Sequence, residues 1–242
     1  MQRHLIVLMT LLCLLSPLCL SFADSPTPQS IVEAFGTMYA SISDYQCRMQ
    51  ENCSKGSSYE ERTMNIYFKK PRSIRMDILK GNRFADTGSI GVYKNDGRVT
   101  GRKGGFLSIF AITVDKHDPQ ATTVRGLAFD QSDLKATLEK MQFYLAAGAC
   151  TLATGAGTFE LVFEPRDPSR NDGVSKDIVK LDYATLLPLS SDSFEGNQLV
   201  QHAQWSSYIL NAGLPDQLFD VFWDPRQLAG MGIQSVHSLP VE

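Results

Sequence analysis

The chain has 242 residues, 43% of them hydrophobic and 20% charged, with a formal net charge of −3 at pH 7 and five cysteines. A mildly acidic chain has no electrostatic reason to seek nucleic acid or an anionic lipid surface. The length suits one sizeable core rather than several domains.

The first 23 residues speak to compartment. Gln2-Arg3-His4 is a short basic start, Leu5 to Leu20 is almost wholly apolar, and Ser21-Phe22-Ala23 places small residues at both ends of a cleavage tripeptide. This layout predicts a secretory signal peptide over residues 1–23. The apolar run contains Pro17 and falls short of the roughly 20 residues that span a bilayer. Neither Cys13 nor Cys19 follows the small-residue pattern of a lipid-modified cysteine. Losing Arg3 with the leader moves the net charge from −3 to −4. The expectation is an exported, periplasmic protein, soluble after cleavage and with no transmembrane segment in the mature chain. That compartment has no ready supply of ATP or NAD, and no cofactor is expected.

After a linker from Asp24 to Gln29, Ile31, Phe35, Met38 and Ile42 recur at helical spacing and predict a first helix ending near Ser43. Tyr45 to Cys53 reads as a strand, followed by the turn Ser54-Lys55-Gly56-Ser57. In the next strand Met64, Ile66 and Phe68 alternate with Asn65, Tyr67 and Lys69. Beyond Pro71, Ile74, Met76 and Ile78 alternate with Ser73, Arg75 and Asp77. Gly88–Tyr93 and Arg98–Arg102 flank the hairpin signal Asp96-Gly97. Tight turns between these strands imply an antiparallel meander, with its polar face in water.

Gly104-Gly105 opens the most apolar stretch after the leader, Phe106 to Val114. It reads either as a buried strand or a segment tucked under the sheet, or as a mobile apolar flap beside a ligand cavity. Ser132-Asp133-Leu134 starts a second helix, with Leu134, Leu138, Met141 and Leu145 on one side and Gly148 as the stop. Strands resume at Thr158–Glu164, Asp177–Tyr183, Leu186–Phe194 and Leu199–Leu210. From Asp224 onward Pro225, Gly230, Gly232 and Pro240 interrupt a stretch without periodicity, read as an irregular tail over 223–242 that frays. Residues 24–222 then form a single domain.

Cys47, Cys53 and Cys150 survive cleavage, an odd number. On one strand Cys47 and Cys53 stand about 20 Å apart, too far to join. A bridge from Cys150 to Cys47 or Cys53 is the alternative. Histidines are few and none has a ligand-spaced neighbour, so no metal site is expected. The sequence has no G-x-S-x-G, H-E-x-x-H, P-loop or G-x-G-x-x-G pattern. His117 and His202 read as surface residues, and the acids as the wet side of strands. No nucleophile, base and orienter come together, and the chain is not expected to be an enzyme.

Three stretches carry a family likeness. One is Tyr45-Gln46-Cys47-Arg48-Met49 with Phe68-Lys69-Lys70-Pro71-Arg72-Ser73-Ile74-Arg75-Met76. Another is Val92-Tyr93 with Gly97-Arg98, then Thr113-Val114-Asp115, Pro119 and Arg125-Gly126. The last is Lys180-Leu181-Asp182-Tyr183, Leu187-Pro188-Leu189, and Tyr208 through Asp216 with Phe219. In order and spacing they resemble the LolA/LolB-like superfamily of outer-membrane lipoprotein carriers, in an uncharacterised exported branch. The resemblance implies an α+β fold, a half-open antiparallel β-barrel of about nine or more strands wrapped round two or three helices. It also implies a hydrophobic ligand, a lipid or an acylated lipoprotein. The carriers' cavity arginine has no single match among Arg72, Arg75 and Arg98.

The candidate cavity lining is the alternating set Met64, Ile66, Phe68, Ile74, Met76, Ile78, Phe159, Leu161, Phe163, Leu181, Tyr183 and Trp205. The expected function is non-enzymatic binding or carriage of an acyl chain. The alternatives are an envelope sensor that binds a protein partner on the same fold and, behind it, an envelope hydrolase.

Overall fold

A computed structural model describes residues 25–83 and 86–240; the leader read from the sequence lies outside them. Helix α1 (Pro28–Ser41) starts where Thr27 accepts from the Ser30 amide and Pro28 occupies the first turn. Its last carbonyls, on Tyr39 and Ala40, accept from the Lys70 ammonium. Two runs of strands follow. The first comprises β1 (Asp44–Lys55), β2 (Ser58–Lys69), β3 (Ser73–Gly81), β4 (Ile90–Tyr93), β5 (Arg98–Arg102) and β6 (Ile112–Asp115). Helix α2 (Leu134–Ala147) leads to the second, β7 (Gly148–Gly155), β8 (Thr158–Pro165), β9 (Lys176–Asp182), β10 (Pro188–Glu195) and β11 (Gln198–Leu210).

All eleven strands belong to one antiparallel sheet in the order β6-β5-β4-β3-β2-β1-β11-β10-β9-β8-β7. The last strand returns to pair with the first, while β6 and β7 are left as open edges. The result is a half-open barrel of α+β class. Helices α1 and α2 pack on each other and against β7 inside the curve. Ile31, Val32 and Phe35 of α1 join Met141 and Tyr144 of α2 in the core, facing Ile66, Phe68, Phe159, Phe163 and Leu181 of the sheet. Burying such side chains is worth roughly 1.5–3 kcal/mol apiece.

Two strands have no counterpart among the nine read from the sequence. β7 is built from Gly-Ala-Cys-Thr-Leu-Ala-Thr-Gly, small residues with little alternation. β6 is four residues at an edge. Gly155-Ala156-Gly157 is the turn between β7 and β8, with Gly157 at φ 82°.

The segment read as a fraying tail is packed. After β11 the chain crosses the outer side of β3 at Asp216–Phe219 and returns over β1 and β11 at Val236–Ser238. The one-turn helix α3 (Gln227–Gly230) lies between these crossings. Leu214, Leu218, Phe219, Leu228 and Val236 form a second apolar cluster with Tyr67 and Val92 of the sheet. Irregular backbone hid this from periodicity, because the strap is held one carbonyl at a time. Arg48 donates to the carbonyls of Val236 (2.9 Å), Leu239 (3.2 Å) and Pro240. Arg75 donates to those of Leu218 and Asp220, both at 2.8 Å, and to Asp77 at 2.7 Å. Gln46 donates to the Gln234 carbonyl (2.6 Å) and accepts from the Val236 amide (3.0 Å).

The expected bridge from Cys150 to Cys47 or Cys53 is not formed; all three thiols are free. Cys150 sits on β7, five ladder steps of about 4.8 Å from β1 along the sheet. Burial pushes the Cys53 and Cys150 thiols each up to about 11, and Cys47 higher still.

Candidate functional site: two cavities on the concave face

The loop from Lys116 to Asp133 lies across the inside of the curved sheet. Arg125 anchors it, donating to the Ser54 carbonyl (2.8 Å), to Glu195 (2.6 Å) and to Asp172 (3.2 Å). The Val124 amide donates to Glu60 at 2.9 Å. Further along, Arg72 donates to the Asp130 carbonyl (2.7 Å) and to Asp133 (2.8 Å), and Lys116 donates to the Asp130 carboxylate (2.9 Å). Burial by itself would raise Asp130, but Lys116 and Arg72 hold its carboxyl below the usual range. Asp133 also accepts from the Ala136 amide and so caps α2. Leu127, Ala128 and Ser132 line a cavity on each side of this loop.

The smaller cavity, about 270 Å³, lies beneath β3–β6. Met76, Ile78 and Val99 of the sheet, Phe129 of the loop, and Leu107, Phe110, Ile112 and Val114 line it. Two glycines set its shape. At Gly91 a β-carbon would stand 2.7 Å from the Phe129 ring, so only glycine lets that ring lie on β4. At Gly104 a β-carbon would fall 1.8 Å from the Thr87 carbonyl oxygen, which pins the chain where the apolar stretch departs.

That stretch is not buried. Gly105–Ile109 make a 3₁₀ turn in the connection between β5 and β6. Phe106 is 80% exposed, Ile109 70%, Phe110 65% and Ile112 48%. The stretch is part strand and not buried: Ile112–Val114 join β6, and the exposed turn before them stands beside the smaller cavity, with Leu107 half-buried.

The larger cavity, about 560 Å³, lies between α2 and the sheet. Met49, Val179, Ala203 and Trp205 contribute its apolar part, with Met141 and Tyr144 of α2 opposite. Its rim is charged, but each acid has a cation. Glu51 faces Arg62, Asp130 faces Lys116, Asp172 faces Arg125 and Glu139 faces Lys135. At the end of α2 the Tyr144 hydroxyl, the Ser193 hydroxyl and the Lys140 ammonium all donate to buried Asp177. Burial, with Asp177 beside it, raises the Tyr144 hydroxyl far above its ordinary value. Among the described residues no cluster of three His, Cys, Asp or Glu side chains is placed to hold a metal ion.

The twelve candidate lining residues divide. Met76 and Ile78 line the smaller cavity and Trp205 the larger. Met64, Ile66, Phe68, Ile74, Phe159, Leu161, Phe163 and Leu181 are packed in the main core, within about 1% of full burial. Tyr183 is 43% exposed and stacks on Phe159 at 4.7 Å between ring centroids. Leu107, Phe110, Ile112 and Val114 belong to the stretch the sequence marked out, yet alternation along strands did not select them as lining. Leu127 and Phe129 carried no pattern at all. The three arginines also separate: Arg72 lines the larger cavity, Arg75 lies on the outer face under the strap, and Arg98 is exposed.

No protein-family model matches the sequence, and no curated protein matches it. Solved structures do. One is a DUF1329 family protein from Desulfovibrio piger, 13% identical, covering 81% of this chain and 98% of that one, with a TM-score of 0.45. Another is a putative outer membrane lipoprotein-sorting protein domain from Vibrio parahaemolyticus, at 12% identity, 80% and 96% coverage and a TM-score of 0.42. A LolA superfamily protein from Nitrosomonas europaea matches at 11% identity, 81% and 98% coverage and a TM-score of 0.40.

Proposed function

We propose that the protein is an exported, non-enzymatic binding protein that takes a lipid or lipoprotein acyl chain into the smaller cavity. The observation that supports this is the pairing of an open, mainly apolar cavity, which Arg62, Asp86, Arg102 and Lys103 also line, with an exposed apolar flap whose own residues line it. At about 270 Å³ the cavity sits just below the ~300–1,000 Å³ of ordinary small-molecule sites. It suits a slender chain better than a bulky ring system. Each methylene buried there contributes about 0.8 kcal/mol without a specific polar contact, and Met76 adapts its shape to the occupant. A partner-binding sensor on the same fold needs the exposed patch but not the hollow beside it; the hollow favours the binding protein. A hydrolase needs a free acid or base in a polar pocket. The mutual pairing of charges round the larger cavity weighs against that.

The test is a titration of the delipidated protein with a fluorescent fatty-acid probe. Wild type takes up the probe saturably. Leu107→Glu, which sets a carboxylate at the cavity mouth without touching the main core, weakens uptake by about tenfold or more, or ~1.4 kcal/mol. Met76→Trp, filling the hollow, does the same. No saturable uptake by wild type, or unchanged uptake by both folded variants, would overturn the reading.

A further inference from the structure

We infer that the larger cavity is a second binding site, separate from the smaller one, for a compact uncharged molecule with an apolar body and a hydrogen-bond acceptor. At about 560 Å³ it lies within the ~300–1,000 Å³ of ordinary small-molecule sites. Small side chains on the concave face create the space. Ser191 of β10 stands in the ladder between Ala203 of β11 and Val179 of β9, and Ala136 lines the opposite side from α2. Trp205, paired with Met49 across the β1–β11 ladder, borders this space and is 9% exposed. Its indole N–H is a donor only, and among the described residues it donates to no group. The half-buried Ser191 hydroxyl is also unpaired among them.

The free donor and the balance of charge define the ligand. Every Asp, Glu, Lys and Arg that lines the cavity has an ion-pair partner. Beyond the four pairs of the rim, Arg72 meets Asp133 at 2.8 Å, Lys140 meets Asp177 at 2.9 Å and Arg170 meets Asp167 at 3.5 Å. His117, also on the rim, is solvent-exposed and supplies no buried charge. A charged ligand would shed its hydration and find no free counter-ion, which is costly. An uncharged one meets no such penalty. Met49, Val179, Ala203 and Met141 cover its apolar body, and a carbonyl or ether oxygen at Trp205 takes up the unpaired donor. The inference is independent of the acyl-binding reading, since Trp205 does not line the smaller cavity.

The experiment is calorimetric titration of the full chain, freed of its leader, with benzamide, benzoate and benzylammonium, which share one ring and differ in charge. Wild type binds benzamide saturably and the two ions at least about tenfold more weakly. In Trp223→Phe, where Trp205 is the one remaining tryptophan, its emission changes with the same saturation. Trp205→Phe keeps an aromatic ring without the N–H and weakens benzamide binding by about three- to tenfold, the worth of one hydrogen bond. Ala136→Trp, filling the space from a half-buried helix position, abolishes binding; Thr137→Trp does so from the adjacent position should Ala136→Trp fail to fold. Met76→Trp, which blocks the smaller cavity, leaves benzamide binding unaltered. No saturable benzamide binding, which leaves the cavity to solvent, overturns the inference. So does either ion binding as tightly as benzamide, or unchanged benzamide binding in folded Trp205→Phe. Loss of benzamide binding in Met76→Trp but not in the variants of α2 overturns it too, because the ligand would then occupy the smaller cavity. Failure of wild type to take up the fatty-acid probe sinks the acyl-binding reading alone.

Discussion

The inner and outer faces of β1–β3 are both buried, by opposite means. Inside, Met64, Ile66, Phe68 and Ile74 share one apolar core with the helices, and none is more than 1% exposed. Outside, Gln46, Asn65 and Arg75 are wholly buried, with Arg48 and Asp77 nearly so. Their cover is an irregular strap whose carbonyls Gln46, Arg48 and Arg75 bind, while Asn65 accepts from Arg48 and Asp77 from Arg75. On the β8–β11 half the outer residues Glu160, Lys180, Asp192 and His202 are half-exposed, as alternation leads one to expect. Alternation therefore identifies the apolar face but does not guarantee that the polar one is wet. The inner face depends on volume, the outer on individual hydrogen bonds.

Arg75→Ala should show the largest effect. It removes the partner of Asp77 and frees two strap carbonyls, and breaking a buried pair in this way costs about 3–5 kcal/mol. Urea unfolding measures it, and a loss under ~1 kcal/mol would mean the outer face is not sealed.

A matched pair of near-isosteric changes sharpens the contrast. Gln46→Leu leaves the Gln234 carbonyl and the Val236 amide unpaired and should cost about 1–3 kcal/mol. Met64→Leu on the inner face keeps the volume and should cost less than ~1.5 kcal/mol. The location of the damage separates them better than its size. Hydrogen exchange over residues 233–240 should speed up in Gln46→Leu and stay unchanged in Met64→Leu. Equal exchange in the two would remove the distinction between the faces.

The smallest effect concerns the strap's leading end. Lys69 donates to Asp216 at 2.6 Å and to the Leu214 carbonyl at 2.8 Å. The hydrogen bond and charge of Lys69 lower the Asp216 carboxyl below its ordinary 3.8. A depressed carboxyl contributes stability above its unfolded value and loses it as pH falls through the folded one. Below about pH 4 the end of the strap should open slightly in wild type. Asp216→Asn should abolish that acid response and leave the behaviour at neutral pH almost unaltered. Exchange at residues 214–219 as a function of pH reads this directly.

Much of the frame was legible from residue order. The Ile31–Phe35–Met38 spacing gave α1, and Asp133 gave the start of α2. The alternation in β2, β3 and β8 gave an antiparallel sheet with one apolar face. The site was less so. Eight of the twelve proposed lining residues pack in the main core, because strand alternation records which side faces inward and not whether anything fills the space there. Leu107 lines the hollow from a 3₁₀ turn and Phe110 from the residue that caps it, where there is neither period to detect.

The sequence by itself determined the strand and helix signals and the inward set, since local conformational preference and burial both follow from the order of side chains. Tertiary structure alone decided the closing of β11 on β1, the division of the concave face by the 116–133 loop, and the sealing of the outer face by the strap. Each joins residues far apart in the chain: β11 meets β1 along an antiparallel ladder, while the loop and the strap are held by single hydrogen bonds, as Val124 meets Glu60 and Arg48 meets Val236. A buried arginine reads the same in a sequence as one in water; only the carbonyls brought to it distinguish the two.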